Sequence, residues 1–167
     1  VPMPDPRAPS SRIELRVLGG HQTAVVREEV DANDLAEAMG RLFQMVSATL
    51  RDQGVEAASA PFARYHSMGE TIDLEAGMIV NGPIRPDGQV QPGELPAGPA
   101  AIAVHTGPYE TLGATHEAMR RWLEANPGQR SNGGPWELYV TDPTDEPDPA
   151  RWMTEVIYPL KRNVEIG

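Results

Sequence analysis

The sequence contains no cysteine, which excludes both a disulfide framework and thiolate zinc ligation. Positive charge is also short: 14 Lys and Arg stand against 24 Asp and Glu, for a formal net charge of −10. Gripping a phosphate backbone needs clustered Lys and Arg, so no direct nucleic-acid binding by this chain is expected. The same balance argues against docking on an anionic membrane. No apolar run approaches the roughly 18 residues of a spanning helix, and no signal-peptide pattern opens the sequence. Together with the missing cysteine, this sets the expectation of a cytoplasmic protein. Gly-x-Ser-x-Gly, phosphate-loop and dinucleotide patterns are absent too, leaving covalent serine catalysis and nucleotide chemistry without support. His116-Glu117-Ala118-Met119 opens like a helical zinc-protease motif, but Arg120 stands where the second His is needed. The other histidines, His21, His66 and His105, have no close ligand spacing, so neither a metal nor a cofactor is expected.

Aromatic residues are scarce, at 5%, so their clustering carries weight. Pro61-Phe62-Ala63-Arg64-Tyr65 and Pro135-Trp136-Glu137-Leu138-Tyr139 are one phrase written twice: proline, large aromatic, two variable positions, tyrosine. Each copy lies one loop beyond an amphipathic helix, and each is followed by a strand-like stretch, Ile72 to Val80 and Trp152 to Tyr158. A repeat of strand, helix, strand, strand at a period of roughly 75 residues describes a duplicated half-domain, longer than a solenoid unit. The fold class expected is therefore α+β, a tandem β-α-β-β repeat with pseudo-twofold symmetry, an antiparallel sheet and a ligand groove between the halves.

A length of 167 residues suits one domain. Residues 1–11 are proline-rich and read as a flexible lead-in, and 12–167 as a single domain with halves near 12–84 and 93–167. Two β-favouring runs, Ile13 to Val17 and Gln22 to Val30, are separated by Gly19-Gly20. Asp31–Gln53 reads as a helix whose apolar stripe holds Leu35, Met39, Leu42, Phe43, Val46 and Leu50, with Gly54 as its stop. Pro108–Ala125 reads as the second, with Leu112, Thr115, His116, Met119, Trp122 and Leu123 inward. Both helices are expected on the same side of the sheet. Pro83 to Pro99 reads as the Gly/Pro-rich connector, with a short hairpin around Pro86-Asp87-Gly88, and Thr141 to Ala150 as an exposed acidic loop.

Strand alternation places Trp136, Leu138 and Val140 on one face and Glu137 with Tyr139 on the other. The first face is apolar and is expected to pack under a helix. The second, joined by Ala63 and Tyr65 from the other half, would line a groove of two phenols and one carboxylate. Aromatic faces stack on hydrophobic rings and attract cations, and a partly desolvated acid supplies the charge complement. Apolar surroundings would raise that acid's pKa. Glu155 is a rival for the pocket acid. Trp152 is either a pocket wall or core.

His105-Thr106-Gly107-Pro108-Tyr109-Glu110, then a helix, then Trp136-Glu137-Leu138-Tyr139, then Thr154-Glu155-Val156 running into Pro159, resembles the GyrI-like small-molecule-binding domain. Phe62-Ala63-Arg64-Tyr65 with Ile79-Val80-Asn81-Gly82-Pro83 fits as well. This is the fold of the gyrase-inhibitory protein and of effector-binding regions in MerR- and AraC-type multidrug regulators. The resemblance implies a ligand between the halves, with Glu137 meeting cationic or polarised aromatic molecules and Tyr109 close by. The ligand-binding set is then Glu137, Tyr139, Tyr65, Tyr109, Ala63 and Trp152. The expectation is of an effector sensor or drug sponge, part of or paired with a transcription regulator; no helix-turn-helix region precedes the domain in this chain, so if complete it is not a transcription factor by itself. The alternative is drawn from stand-alone members that hydrolyse the cyclopropane of DNA-alkylating pyrroloindoles and so confer resistance. In such an enzyme Glu137 would be the general base and Tyr109 or Tyr139 the hydrogen-bond donor to the developing charge.

Overall fold

A computed structural model describes residues 12–162. The lead-in assigned to residues 1–11 lies outside them. The elements run β1 (Glu14–Asp31), α1 (Leu35–Gln53), β2 (Ala57–Ser67), β3 (Thr71–Val80), β4 (Gln91–Thr106), α2 (Leu112–Ala125), β5 (Trp136–Tyr139) and β6 (Met153–Pro159). All strand pairings are antiparallel, and the sheet closes on itself in the order β1-β3-β2-β5-β6-β4. The protein is thus a mixed α and β fold with a closed antiparallel sheet and two helices. None of the described helices is long and apolar enough to cross a membrane.

The two runs expected around Gly19-Gly20 are one strand. Gly20 takes a φ of 78°, which bends β1 without ending it, and a side chain there would press on Ala97 of β4. The long strand serves two partners, Thr23 to Asp31 pairing β3 and Glu14 to Val25 pairing β4. The expected connector is also shorter than its composition suggests. A turn in which Asp87 and Val90 exchange both backbone hydrogen bonds ends at Val90, and β4 begins at Gln91. Pro92 and Pro96 are tolerated there because β6 pairs only from Ala100 onward, leaving that stretch of β4 with β1 alone beside it, while Pro99 lends only its carbonyl, accepting from the Leu160 amide at 2.9 Å.

Both helices start later than the pattern indicates. Asp31 caps a single 3-10 turn, its carboxylate accepting from the Asn33 amide at 2.9 Å, and the regular helix follows at Leu35. In the second half a 3-10 turn over Tyr109–Thr111 precedes α2. Gly54, at a φ of 67°, ends α1 by donating its amide back into the last turn.

Ala38, Leu42, Val46 and Leu50 of α1 join Leu112 and Met119 of α2 in one core with Ala24, Val26, Leu74, Ala76, Ala103 and Val156 of the sheet. Both helices therefore cover one face. Residues in alternation with these strand positions form a second core, Val25, Phe62, Leu95, Ile102, Trp136 and Ile157, to which no helix contributes. The expectation that Trp136 and Leu138 pack under a helix is reversed. The helices lie over the face that carries Ala63, Tyr65, Glu137 and Tyr139, and the face of Trp136 and Leu138 turns away from them into the second core.

Candidate functional site

β5 is only four residues long, but it sits between β2 and β6 and places Glu137 opposite Ala63 on one side and Val156 on the other. The residue is 4% exposed. An ionised carboxylate can only accept, and three donors converge on it. The Tyr65 and Tyr139 hydroxyls donate to Oε1 at 2.8 and 2.6 Å. His116 Nε2 donates to Oε2 at 2.6 Å. Beyond it, His116 Nδ1 lies 2.7 Å from the Tyr158 hydroxyl. Burial alone would push the Glu137 carboxyl upward, but the bonds from His116, Tyr139 and Tyr65 and the His116 charge outweigh it. The net direction is below the ordinary glutamate value, opposite to the rise expected from apolar walls. Burial raises Tyr65 and Tyr139 well above the ordinary phenol value, so both remain donors.

Above this carboxylate opens a cavity of about 890 Å³, within the range that holds drug-sized molecules. Leu35, Met39 and Phe43 of α1 form one wall, Leu112 and His116 of α2 another, with Tyr65, Glu137 and Tyr139 as the floor. Tyr109 stands at the rim, 36% exposed. Its ring meets Tyr139 edge-on at 5.4 Å and leans on Trp152 at 4.9 Å, while Tyr139 in turn meets Phe43 at 6.1 Å. His105 holds the turn that presents Tyr109, with Nδ1 2.8 Å from Thr115 Oγ1 and Nε2 2.9 Å from Thr111 Oγ1.

Of the residues singled out from sequence, Tyr65, Tyr109, Glu137 and Tyr139 come together on the cavity. Ala63 is fully buried beside Glu137 and does not line the space, since its single methyl is covered by the neighbouring core. Trp152 stands behind Tyr109, its indole N–H donating to the Glu146 carbonyl at 2.8 Å, and is a prop and not a wall. Glu155 pairs with Leu138 and Val104 on the opposite face of the sheet, which removes it as the cavity acid. Val140 lines the cavity although alternation puts it with Trp136. The amides of both Val140 and Thr141 bond to the Met153 carbonyl, so the ladder slips a residue there.

His116 is the member that sequence reasoning passed over. It was visible as a titratable residue inside the apolar stripe of α2, and such a residue needs a buried partner. Among the described residues no three His, Asp or Glu side chains converge as metal ligands.

A closed antiparallel sheet with an apolar cavity under two helices, floored by one saturated carboxylate, is the design of a ligand-binding domain. The chain belongs to the family of the GyrI-like small molecule binding domain, whose family model matches residues 13–161. Among solved structures it is similar to the C-terminal domain of EcmrR, at 22% identity and a TM-score of 0.82 over 92% of this chain and 99% of that one. Against the EcmrR chain in its DNA complex the TM-score is 0.83, and this chain spans 58% of that longer protein. SAV2435 bound to tetraphenylphosphonium matches at 10% identity and a TM-score of 0.65, covering 90% and 94% of the two chains. A hydrolase from Listeria innocua matches at 15% identity and a TM-score of 0.58, covering 93% and 94%. Among curated proteins none matches the sequence.

Proposed function

We propose that this protein binds hydrophobic, often cationic, aromatic molecules in the cavity over Glu137, as an effector sensor or as a sequestering agent in drug resistance. The observation that carries the reading is a single buried carboxylate beneath aromatic and aliphatic walls. That pairing supplies charge and stacking to one ligand while excluding water from both. The relatives in a transcription regulator and in a phosphonium complex support it. The groove is taken to lie between two β-α-β-β halves related by a pseudo-twofold axis. Support comes from equivalent tyrosines of the echoed phrase, Tyr65 and Tyr139, meeting the same carboxylate oxygen. With an acidic surface, the chain is proposed to act on DNA only through a regulator to which it is joined or paired, in the cytoplasm.

The test uses Gly40, in the interior of α1. It borders the cavity, and a Cβ there would meet nothing within 4 Å. Gly40→Leu adds bulk at the cavity border and should raise helix stability by about 0.5–1 kcal/mol. The expected result is a higher urea midpoint together with at least a tenfold loss of affinity for a bulky aromatic cation such as tetraphenylphosphonium, a loss of about 1.4 kcal/mol. Undiminished binding by the stabilised variant would move the ligand elsewhere.

Hydrolysis is the second reading, favoured by one observation, the buried imidazole–carboxylate pair of His116 and Glu137. Glu137 would activate water against the cyclopropyl carbon of a pyrroloindole, with Tyr109 or Tyr139 donating to the carbonyl that gains charge. A carboxylate already holding three donors and shifted downward is a weak base, which ranks this reading second. Incubation with such a substrate should return the ligand unaltered, one per chain. Water adduct in excess over protein, seen by mass spectrometry, would establish the enzyme instead.

A further inference from the structure

We propose that His116 sets which ligand charge the cavity accepts, and that a cationic ligand binds in exchange for one proton released from the imidazole to solvent. The proposal rests on the binding reading above and adds to it a residue and a coupled ion.

The groups facing the imidazole leave few ways for the charge of the cavity to change. From β2, β5 and β6 come Tyr65, Tyr139 and Tyr158, phenols that burial keeps protonated, and Glu137, which stays ionised. α1 contributes only uncharged lining, Leu35, Met39 and Phe43 among it. On α2 itself Arg120 lies one turn further on, largely exposed and bonded to Glu117 at 2.8 Å. At the rim are the neutral Tyr109 and Asp142, whose Oδ1 accepts from the Thr144 amide and hydroxyl. Among these described groups His116 is the only imidazole, the side-chain type whose proton exchange lies nearest neutrality.

Its surroundings suit both states. Nε2 carries hydrogen in either, because the Glu137 oxygen 2.6 Å away can only accept. The second proton belongs on Nδ1, 2.7 Å from the Tyr158 hydroxyl. That hydroxyl donates to Nδ1 when the ring is neutral, and its oxygen accepts from Nδ1–H when the ring is charged. Turning one O–H bond therefore satisfies both states, with no movement of heavy atoms.

The two states present different floors to a ligand. Imidazolium and carboxylate sum to zero, and an entering cation meets a like charge beside its counter-charge. Neutral imidazole leaves a net −1 beneath the aromatic walls. The His116 and Glu137 side chains are 16% and 5% exposed, so solvent screens this difference little. Binding of a cation and protonation of His116 are then antagonistic, and the antagonism is reciprocal. The atoms balance simply: the Nδ1–H bond breaks, its electron pair stays on nitrogen, and the proton passes to buffer.

Tetraphenylphosphonium is the probe, because its charge is permanent and carries no proton of its own, with neutral triphenylphosphine oxide as the comparison. Calorimetric titration at about pH 5.5 and pH 8 brackets the range of imidazole titration. Repeating each titration in two buffers of different ionisation enthalpy counts the protons released. Roughly one proton per cation is expected at the lower pH and none at the higher, with cation affinity rising by up to about tenfold per pH unit in between. The neutral probe should bind alike at both. His116→Gln keeps an N–H donor for Glu137 but cannot titrate, so its cation affinity should be flat with pH. Cation binding without proton release and with equal affinity at both pH values would overturn the exchange alone. A wild-type pH slope surviving in His116→Gln would overturn it as well. Absence of binding by either probe at both pH values would overturn the binding reading and this one with it. Should His116→Gln fail to fold, the proton count and the contrast between probes in the unaltered protein decide the matter.

Discussion

Glu137→Gln is expected to weaken tetraphenylphosphonium by roughly ten- to hundredfold while leaving triphenylphosphine oxide little changed, when both are titrated calorimetrically at pH 8. The phosphonium donates no hydrogen bond, so the loss is Coulombic: about 1.5–3 kcal/mol for unit charges roughly 6–10 Å apart at an effective dielectric near 20, which converts to that range of affinity. The substitution removes the charge without emptying the hydrogen-bond network. The amide oxygen still accepts from Tyr65 and Tyr139, and the amide N–H₂ faces His116, whose neutral ring can present Nε2 as an acceptor and donate Nδ1–H to Tyr158. Loss of affinity therefore reports electrostatics and not a collapsed floor. The carboxyl is held below the ordinary glutamate range, so its own protonation sets in only at pH values more acid than that range. Any loss of cation binding nearer neutrality belongs to another group. Equal losses for both probes would make Glu137 structural, and no loss for either would place it out of contact with the ligand.

The echoed phrase made the site legible, because Pro61 to Tyr65 and Pro135 to Tyr139 occupy adjacent strands and their tyrosines meet. Alternation correctly separated Glu137 and Tyr139 from Trp136 and Leu138, but it could not say which face the helices cover. Apolarity alone assigns the helices to the face of Trp136 and Leu138. The molecule has two cores, however, and the face with the acid is the one the helices shelter. The direction for Glu137 failed for a separate reason. Apolar walls and two phenols beside the acid follow from the sequence, but not that both phenols bond to the carboxylate, nor that His116 reaches it from α2, 21 residues away. His116 showed in the sequence only as a titratable residue within an apolar stripe; its partners, Glu137 and Tyr158, are 21 and 42 residues away. Glycine and proline misled twice. They mark chain breaks when a strand is flanked on both sides, but β1 continues through Gly20, and Pro92 and Pro96 lie where β4 has one partner.

Phe62→Ala is expected to cost about 3–5 kcal/mol, the usual range for emptying a buried aromatic site. The ring is fully buried in the second core with Trp136, Ile102 and Ile157, on a strand whose Phe62 pairs with Gly77 of β3 and Leu138 of β5. No helix reaches this core to collapse onto the gap. With a urea slope of about 2 kcal/mol/M, the midpoint should fall by roughly 1.5–2.5 M. That is a large share of the 5–15 kcal/mol typical of a domain. Tyr65→Phe, three residues on, removes one charge-assisted bond to Glu137 and should cost less, about 1.5–3 kcal/mol. The two cores also predict a separation of effects. Phe62 faces away from the cavity, so protein that remains folded should keep the ratio of cation to neutral affinity of the unaltered chain. Glu137→Gln should change that ratio and leave the midpoint nearly in place. A Phe62→Ala midpoint within about 0.5 M of the original would mean that the helix-covered core alone holds the fold. A changed ratio would mean that the two faces of the sheet are coupled, and that the cavity floor depends on the packing beneath it.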